Sequence, residues 1–242
     1  MLLPDSRPVP TAELPDLYDW PRPEWVRACI ALSLDGSMVG PDGRSKSLSS
    51  TTDRDVMAAT RLLADAYLVG AQTVRAERYS AVRARPEAQQ RRAAGAQRPA
   101  ATLVVISGSC RFDWTTAVFG QSDEPPIVLT TEASDPADRA AAIDAGCRVQ
   151  VLGERRVDVG DAVRFLRSEG LTRIALEGGP RLLSEMVGAD LVDEMDLTVS
   201  PRLVAGPHLT GMAGITLHER KLAHVIEEDG FLFTRYVRPD GA

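Results

Sequence analysis

Five short stretches carry residues able to do chemistry, and each follows an apolar run. They are Ser33-Leu34-Asp35-Gly36, Gly70-Ala71-Gln72-Thr73, Ser107-Gly108-Ser109, Thr130-Thr131 and Glu177-Gly178-Gly179-Pro180. The last is the most telling. Glycines let a backbone approach a ligand closely, and the amides of a helix opened by Pro180 favour an anion. The pair is either a diphosphate seat or a plain strand-to-helix turn. Glu177 constrains the first option, because a carboxylate ~5 Å from a diphosphate charge costs ~3 kcal/mol per charge pair at an effective dielectric of about 20. Strand alternation relieves the conflict if Glu177 faces a reacting pocket while the Gly178 and Gly179 amides face the anion. Asp35 either caps its Asp-Gly turn or holds a polar ligand. Ser107 and Ser109, with Arg111 nearby, either grip a 2′-phosphate or form an ordinary polar loop.

The elements behind these stretches alternate. Trp25 to Leu34, Ala66 to Gly70, 101–107, 126–131, 148–153 and 172–178 read as strands, most of them apolar on both faces. Helices are expected from a cap at Thr52 or Asp53, at Ala71 to Glu77, Asp135 to Ala145, Asp158 to Glu169 and Pro180 to Val187. A further strand with partial alternation follows in "VDEMDLTVSPRLV", and "HVIEEDGFLFTRYV" reads as a hairpin about Asp229-Gly230. The pattern predicts an α/β fold, a mostly parallel sheet flanked by helices with a closing antiparallel hairpin. Residues 1–23 read as an arm on the surface, with Leu17, Tyr18 and Trp20 as anchors, and 24–240 as one domain. Residues 80–99 read as a mobile Arg-rich loop. There Arg83, Arg85, Arg91 and Arg92 either keep the loop solvated or meet an anion. In open α/β sheets ligands bind beyond the carboxyl ends of the strands, where the five stretches lie.

Composition narrows the class. Of 242 residues, 44% are hydrophobic, and the formal net charge is −6, which disfavours nonspecific nucleic-acid binding. Lysine occurs only at Lys46 and Lys221, so an anion site must use Arg forks or backbone amides. Cys29, Cys110 and Cys147 are odd in number and scattered, and His208, His218 and His224 lack metal-ligand spacing, so no disulfide framework or metal site is expected. No apolar run is long enough for a membrane span. A cytosolic protein is the simplest reading.

"SLDG" after the first strand, "ADAYLVGAQTV", and "LEGGPRLL" followed by "DLVDEMDLTVSPRLVAG" resemble, in order and spacing, the reductase domain of riboflavin biosynthesis. That family has the dihydrofolate-reductase-like fold, and the chain is similar to its stand-alone actinobacterial pyrimidine reductases. The resemblance spans roughly Trp25 to Val237. It implies NADPH as cofactor, a phosphorylated aminopyrimidine as substrate, and a homodimer. The reaction would be hydride transfer to the ring-opened ribosylamino group of 5-amino-6-(5-phosphoribosylamino)uracil. Gly70 and Thr73 match the family's cofactor turn, and Gly178, Gly179, Pro180, Arg181 and Leu182 its diphosphate loop. Ser107 and Ser109 fall where the adenosine phosphate would lie, with Thr130 near the adenine. Asp35 and Glu177 become the candidates for polar contacts and proton handling, with Ser33, Ser49, Glu77 and Arg83 on the substrate side. The zinc signature of the deaminase often fused to this domain does not occur in the chain.

Three departures lie on the substrate side. Ser37 stands where the family has Lys. Ser45-Lys46-Ser47-Leu48-Ser49 replaces a Trp-containing segment, and Ala76-Glu77-Arg78-Tyr79 replaces "aDDP". Two alternatives therefore stay open: a dihydrofolate- or dihydropteridine-type reductase, or a protein that binds NADPH without catalysis.

Overall fold

A computed structural model describes residues 7–205 and 217–239. The strands are β1 (Trp25–Ser33), β2 (Ala66–Gly70), β3 (Thr102–Ile106), β4 (Ile127–Thr130), β5 (Arg148–Val151), β6 (Arg173–Leu176), β7 (Glu194–Ser200), β8 (Lys221–Glu228) and β9 (Phe231–Val237). They form one sheet in the order β5-β4-β3-β2-β6-β1-β7-β9-β8. Every pairing from β5 to β7 is parallel, and β9 and β8 close the sheet antiparallel. The helices are α1 (Leu14–Leu17), α2 (Thr51–Arg61), α3 (Ala71–Glu77), α4 (Gln89–Ala94), α5 (Ala117–Gly120), α6 (Pro136–Asp144), α7 (Val159–Ser168) and α8 (Pro180–Gly188). The hairpin turns at Asp229-Gly230 with positive φ at both residues, the conformation that matches strand twist.

The apolar runs are apolar because both sheet faces are covered. On one face Val26, Ile30, Leu68 and Ile174 pack beneath α7 and α8. On the other, Tyr67, Leu103, Val128 and Ala175 pack with Ala142 of α6. A third cluster joins Leu14 and Tyr18 to Val56 and Ala59 of α2 and to Phe231 and Phe233 of β9.

Beside that cluster lies a layer of buried charge. Arg27 and Glu194 are fully buried, and Glu194 accepts from Trp25 Nε1 (2.7 Å), Arg27 Nε (2.7 Å) and Arg235 Nε (2.8 Å). Burial works against charge on Glu194, but the two guanidinia outweigh it and hold this carboxyl below its ordinary range. Asp196, on the same face of β7, is held well above its ordinary range by burial and by the Glu194 charge.

Three expectations differ. The arm is not merely laid on the surface. Tyr18 and Trp20 are buried while Leu17 is half-buried, and Arg27 and Arg235 donate to the carbonyls of Leu17, Tyr18 and Asp19. Helix α2 is capped by Ser50, whose hydroxyl accepts from the Asp53 amide, rather than by Thr52 or Asp53. The 80–99 stretch carries a 3-10 turn at Pro86–Ala88 and α4, with Ala88 and Arg92 buried. Arg92 is there because carbonyls left over at the end of α2, Leu62 and Ala64, and that of Arg98 need donors. His208 lies outside the described residues.

Candidate active site

A cleft of about 800 Å³ opens where β1, β2 and β6 end, a volume suited to a small-molecule ligand. Cys29, Ile30 and Ala31 of β1 contribute to its lining. Asp53, Met57 and Arg61 form one wall, four residues apart and therefore on one face of α2. Gln72, Thr73 and Ala76 of α3 and the 77–85 segment form the opposite wall, and Glu177, Gly179 and Pro180 close it beyond β6.

Glu177 is the most constrained group. Its side chain is 3% exposed. Arg61 grips both carboxylate oxygens, Nε on Oε1 and Nη2 on Oε2 (2.5 Å), and the Tyr79 hydroxyl donates to Oε2 (2.9 Å). This fork is the bidentate geometry that makes Arg–carboxylate pairs strong. Burial opposes charge on Arg61, but the Glu177 carboxylate outweighs it and raises the guanidinium further above its ordinary range. Burial, and then the charge of Glu177, push the Tyr79 hydroxyl well up. The ring of Tyr67 lies 5.2 Å from the Arg61 guanidinium carbon. Glu177 thus faces the cleft, as strand alternation requires, but it is an anchored ion-pair partner rather than a free base.

The two glycine turns meet beside it. The Gly70 amide donates to the Gly178 carbonyl (3.1 Å), which joins the start of α3 to the loop before α8. Gly178 (φ +95°) and Gly179 (φ +70°) both occupy conformations that favour glycine. A Cβ on Gly179 would lie 2.9 Å from Thr73 Oγ1, so the backbone is close-fitted there. Of the remaining diphosphate-loop candidates, Leu182 is buried in the core, and Arg181 is exposed and paired with Glu185 (3.1 Å).

Other expected residues are committed elsewhere. Asp35 does not line the cleft. It accepts from Ser33 Oγ (2.6 Å), the Val204 amide (3.1 Å) and the Ala205 amide (2.8 Å), because an Asp-Gly turn presents its carboxylate to nearby donors. The Ser33 hydroxyl, then those two amides, lower its carboxyl to about 2. Ser33 is buried, and its oxygen also accepts from the Ser37 amide, so it too belongs to the turn. A depressed folded pKa contributes stability that is present above the unfolded value of 3.8 and lost as pH falls through about 2. Asp35→Asn should therefore flatten the pH dependence of stability between those values. Acid titration of both proteins followed by circular dichroism checks this, and parallel curves would contradict it.

Ser107 is buried and accepts from the Cys110 amide (3.1 Å), which makes it a turn residue, whereas Ser109 is exposed. Thr130 is fully buried, and its hydroxyl has no partner among the described residues. Arg111 is paired with Asp138 (2.6 Å). On the substrate side Ser49, Glu77 and Arg83 all line the cleft. Ser49 donates to Asp53, Glu77 accepts from the Ser45 amide (2.7 Å), and Arg83 pairs with Asp123 (2.8 Å). The sequence motifs do not single out Arg61, Asp53 and Tyr79, which also line the cleft. The signal for the first two is the spacing of 53, 57 and 61, which interrupts the apolar stripe of α2 with charge at both ends. Arg78, exposed and in the left-handed conformation at the end of α3, also lines the cleft.

The family model described as the RibD C-terminal domain matches residues 24–228. A protein of Archaeoglobus fulgidus named 2,5-diamino-6-ribosylamino-4(3H)-pyrimidinone 5′-phosphate reductase is 27% identical over 75% of this chain and 82% of its own. One of the same name from Methanothermobacter thermautotrophicus is 31% identical over 73% and 77%. Among solved structures, a pyrimidine reductase-like protein of Corynebacterium diphtheriae superposes with a TM-score of 0.80 at 26% identity, covering 88% of this chain and 91% of that one. The sheet order and the antiparallel closing strands are those of a dihydrofolate-reductase-like fold.

Proposed function

The chain belongs to the RibD C-terminal domain family, and from that premise we propose that it is an NADPH-dependent reductase of a phosphorylated ribosylaminopyrimidine. The observation that carries the reading is that Glu177, Gly179 and Thr73 meet in one cleft. The close-fitted Gly179 backbone suits a diphosphate, and the amides at the starts of α3 and α8 add donors. Gly70, Thr73, Gly178, Gly179 and Pro180 would hold the cofactor, with the exposed Ser109 on its adenosine side and the fully buried Thr130 beneath that side. NADPH, when bound, supplies the hydride. The chain's own part is to bind and orient the pyrimidine against α2 and the 77–85 segment and to exclude water. Glu177, held by the Arg61 fork and the Tyr79 hydroxyl, fixes the positions of both rather than moving a proton itself. For the substrate phosphate Arg78 is the better-placed group, because Arg83 is already paired with Asp123.

Loss of NADPH absorbance on adding 5-amino-6-(5-phosphoribosylamino)uracil tests the function, and no turnover overturns it. The names of the archaeal relatives favour a second reading, in which the 2-amino pyrimidinone is the substrate, so the two compounds are assayed in parallel. Gly179→Ala should weaken NADPH binding roughly tenfold and cost about 1–2 kcal/mol of stability, since the new Cβ meets Thr73 at a positive φ. Fluorescence titration and thermal melting check both, and unchanged NADPH affinity would remove the turn from the cofactor site.

We read residues 24–240 as one reductase unit with the arm built into it, acting in the cytosol as a homodimer. Among the described residues no helix is long and apolar enough to cross a membrane. The dimer rests on β7, where the buried positions are the polar Glu194, Asp196, Thr198 and Ser200, and Met195, Leu197 and Val199 are half-buried. Leu232 pairs with Val199 and, like Leu222, is 39% exposed, so the apolar side of this end of the sheet is open to a second copy. Sedimentation gives the mass directly.

A further inference from the structure

Tyr79 and Arg61 share one carboxylate oxygen of Glu177, at 2.9 and 2.5 Å, so their polar atoms sit side by side on the cleft wall. Their hydrogen-bonding capacities are then fixed by counting protons. The guanidinium has five N–H groups and accepts nothing, and the fork to Glu177 uses two of them. Glu177 can accept both only when ionised. The single proton of the Tyr79 hydroxyl is thereby committed to Glu177, and toward the cleft its oxygen can only accept. The wall therefore offers a ligand a donor, the remaining N–H groups of Arg61, next to an acceptor, Tyr79 Oη.

We propose that Arg61 and Tyr79 together read a lactam edge, a ring N–H adjacent to a C=O, on the heterocycle that enters the cleft. Arg61 donates to the carbonyl and Tyr79 accepts from the N–H. Both substrates considered above carry this edge at N3–H and C4=O, and they differ only at N1 and C2. The pair therefore selects pyrimidinones over heterocycles with an amidine edge, in which the adjacent donor and acceptor are reversed. It does not separate the amino from the oxo compound. Glu177 contributes by holding both readers in one protonation pattern and makes no ligand contact of its own.

The assignment rests on the reductase reading, and one experiment separates their failures. Calorimetry compares the unreactive product 5-amino-6-(5-phosphoribitylamino)uracil with its N3-methyl analogue, on the wild type and on Tyr79→Phe, in the presence of NADP⁺. The phenylalanine variant keeps the ring packing, and its thermal melt verifies the fold. For the wild type, methylation should weaken binding through both the lost N–H contact and the added bulk. In the variant only the bulk remains, so the methylation penalty should shrink about five- to tenfold, the value of one hydrogen bond. Equal penalties in the two proteins overturn the edge assignment and leave the reductase reading standing. Failure of the wild type to bind the parent compound overturns both.

Discussion

Arg61→Met lowers kcat/KM for the pyrimidine by about 100-fold or more and leaves NADPH affinity within roughly threefold of wild type. The substitution keeps the length and apolar stem of the side chain but removes the charge that compensates Glu177, a carboxylate whose side chain is 3% exposed. Removing one partner of a buried pair costs about 3–5 kcal/mol, and the low end applies because Arg61 itself is 27% exposed. Glu177 is then left without its compensating charge, and the carboxylate that orients the Tyr79 hydroxyl loses the fork that fixes it. Both readers of the pyrimidine are disturbed, whereas the Gly178-Gly179 turn is held by its own backbone bond to Gly70. Steady-state kinetics with each substrate varied in turn, beside NADPH titration, checks the split. Equal losses on both sides would mean that the pair only shapes the turn. Glu177→Gln should also impair turnover more than NADPH affinity, and combined with Arg61→Met it should add little further, because the two act as a unit.

The second large effect lies away from the cleft. Glu194→Ala leaves the buried guanidinium of Arg27 and that of Arg235 without their shared carboxylate and leaves Trp25 Nε1 without an acceptor. Asp196, 3.4 Å from Arg27 Nε, remains as a weaker counter-charge, so the loss lies at the low end of the about 3–5 kcal/mol that breaking a buried pair costs, and for a chain of this size that corresponds to a fall in Tm of about 10 °C. Both arginines also hold the arm by its carbonyls, and Arg27 donates to the Thr60 carbonyl (3.3 Å), one residue before Arg61. Loss of the cluster should therefore expose the arm to proteolysis before the rest of the chain melts. Glu194→Gln keeps an acceptor and should lose roughly half as much. A melting shift of about 3 °C or less for the alanine variant would show that the arginines find other partners.

The sequence is informative where the physics is local. Strands buried on both faces must be continuously apolar, so β1 to β4 and β6 stand out from their neighbours, and Asp229-Gly230 marks its hairpin by turn chemistry alone. Glu177 followed by two glycines identifies both a backbone that must approach something and a carboxylate that must point away from it. The expected anion-side turn and the cleft-facing glutamate lie together for that reason.

What local pattern does not hold is which distant group will meet which. Arg61 and Glu177 are 116 residues apart, and Tyr79 and Glu177 are 98 apart. Only the placement of β6 between β1 and β2 brings α2 and the end of α3 to one carboxylate. The same limit explains Asp35, whose partners Val204 and Ala205 arrive from the far end of β7, and Arg92, whose burial depends on carbonyls at the end of another helix. By itself the sequence determined the order and kind of the elements, the glycine turns and the presence of a charge beside them, because each follows from the residues next to it. Tertiary structure alone decided that this charge would be anchored rather than free. Its neutralising partners are fixed by sheet order, and a buried carboxylate stays ionised only where the fold delivers donors to it.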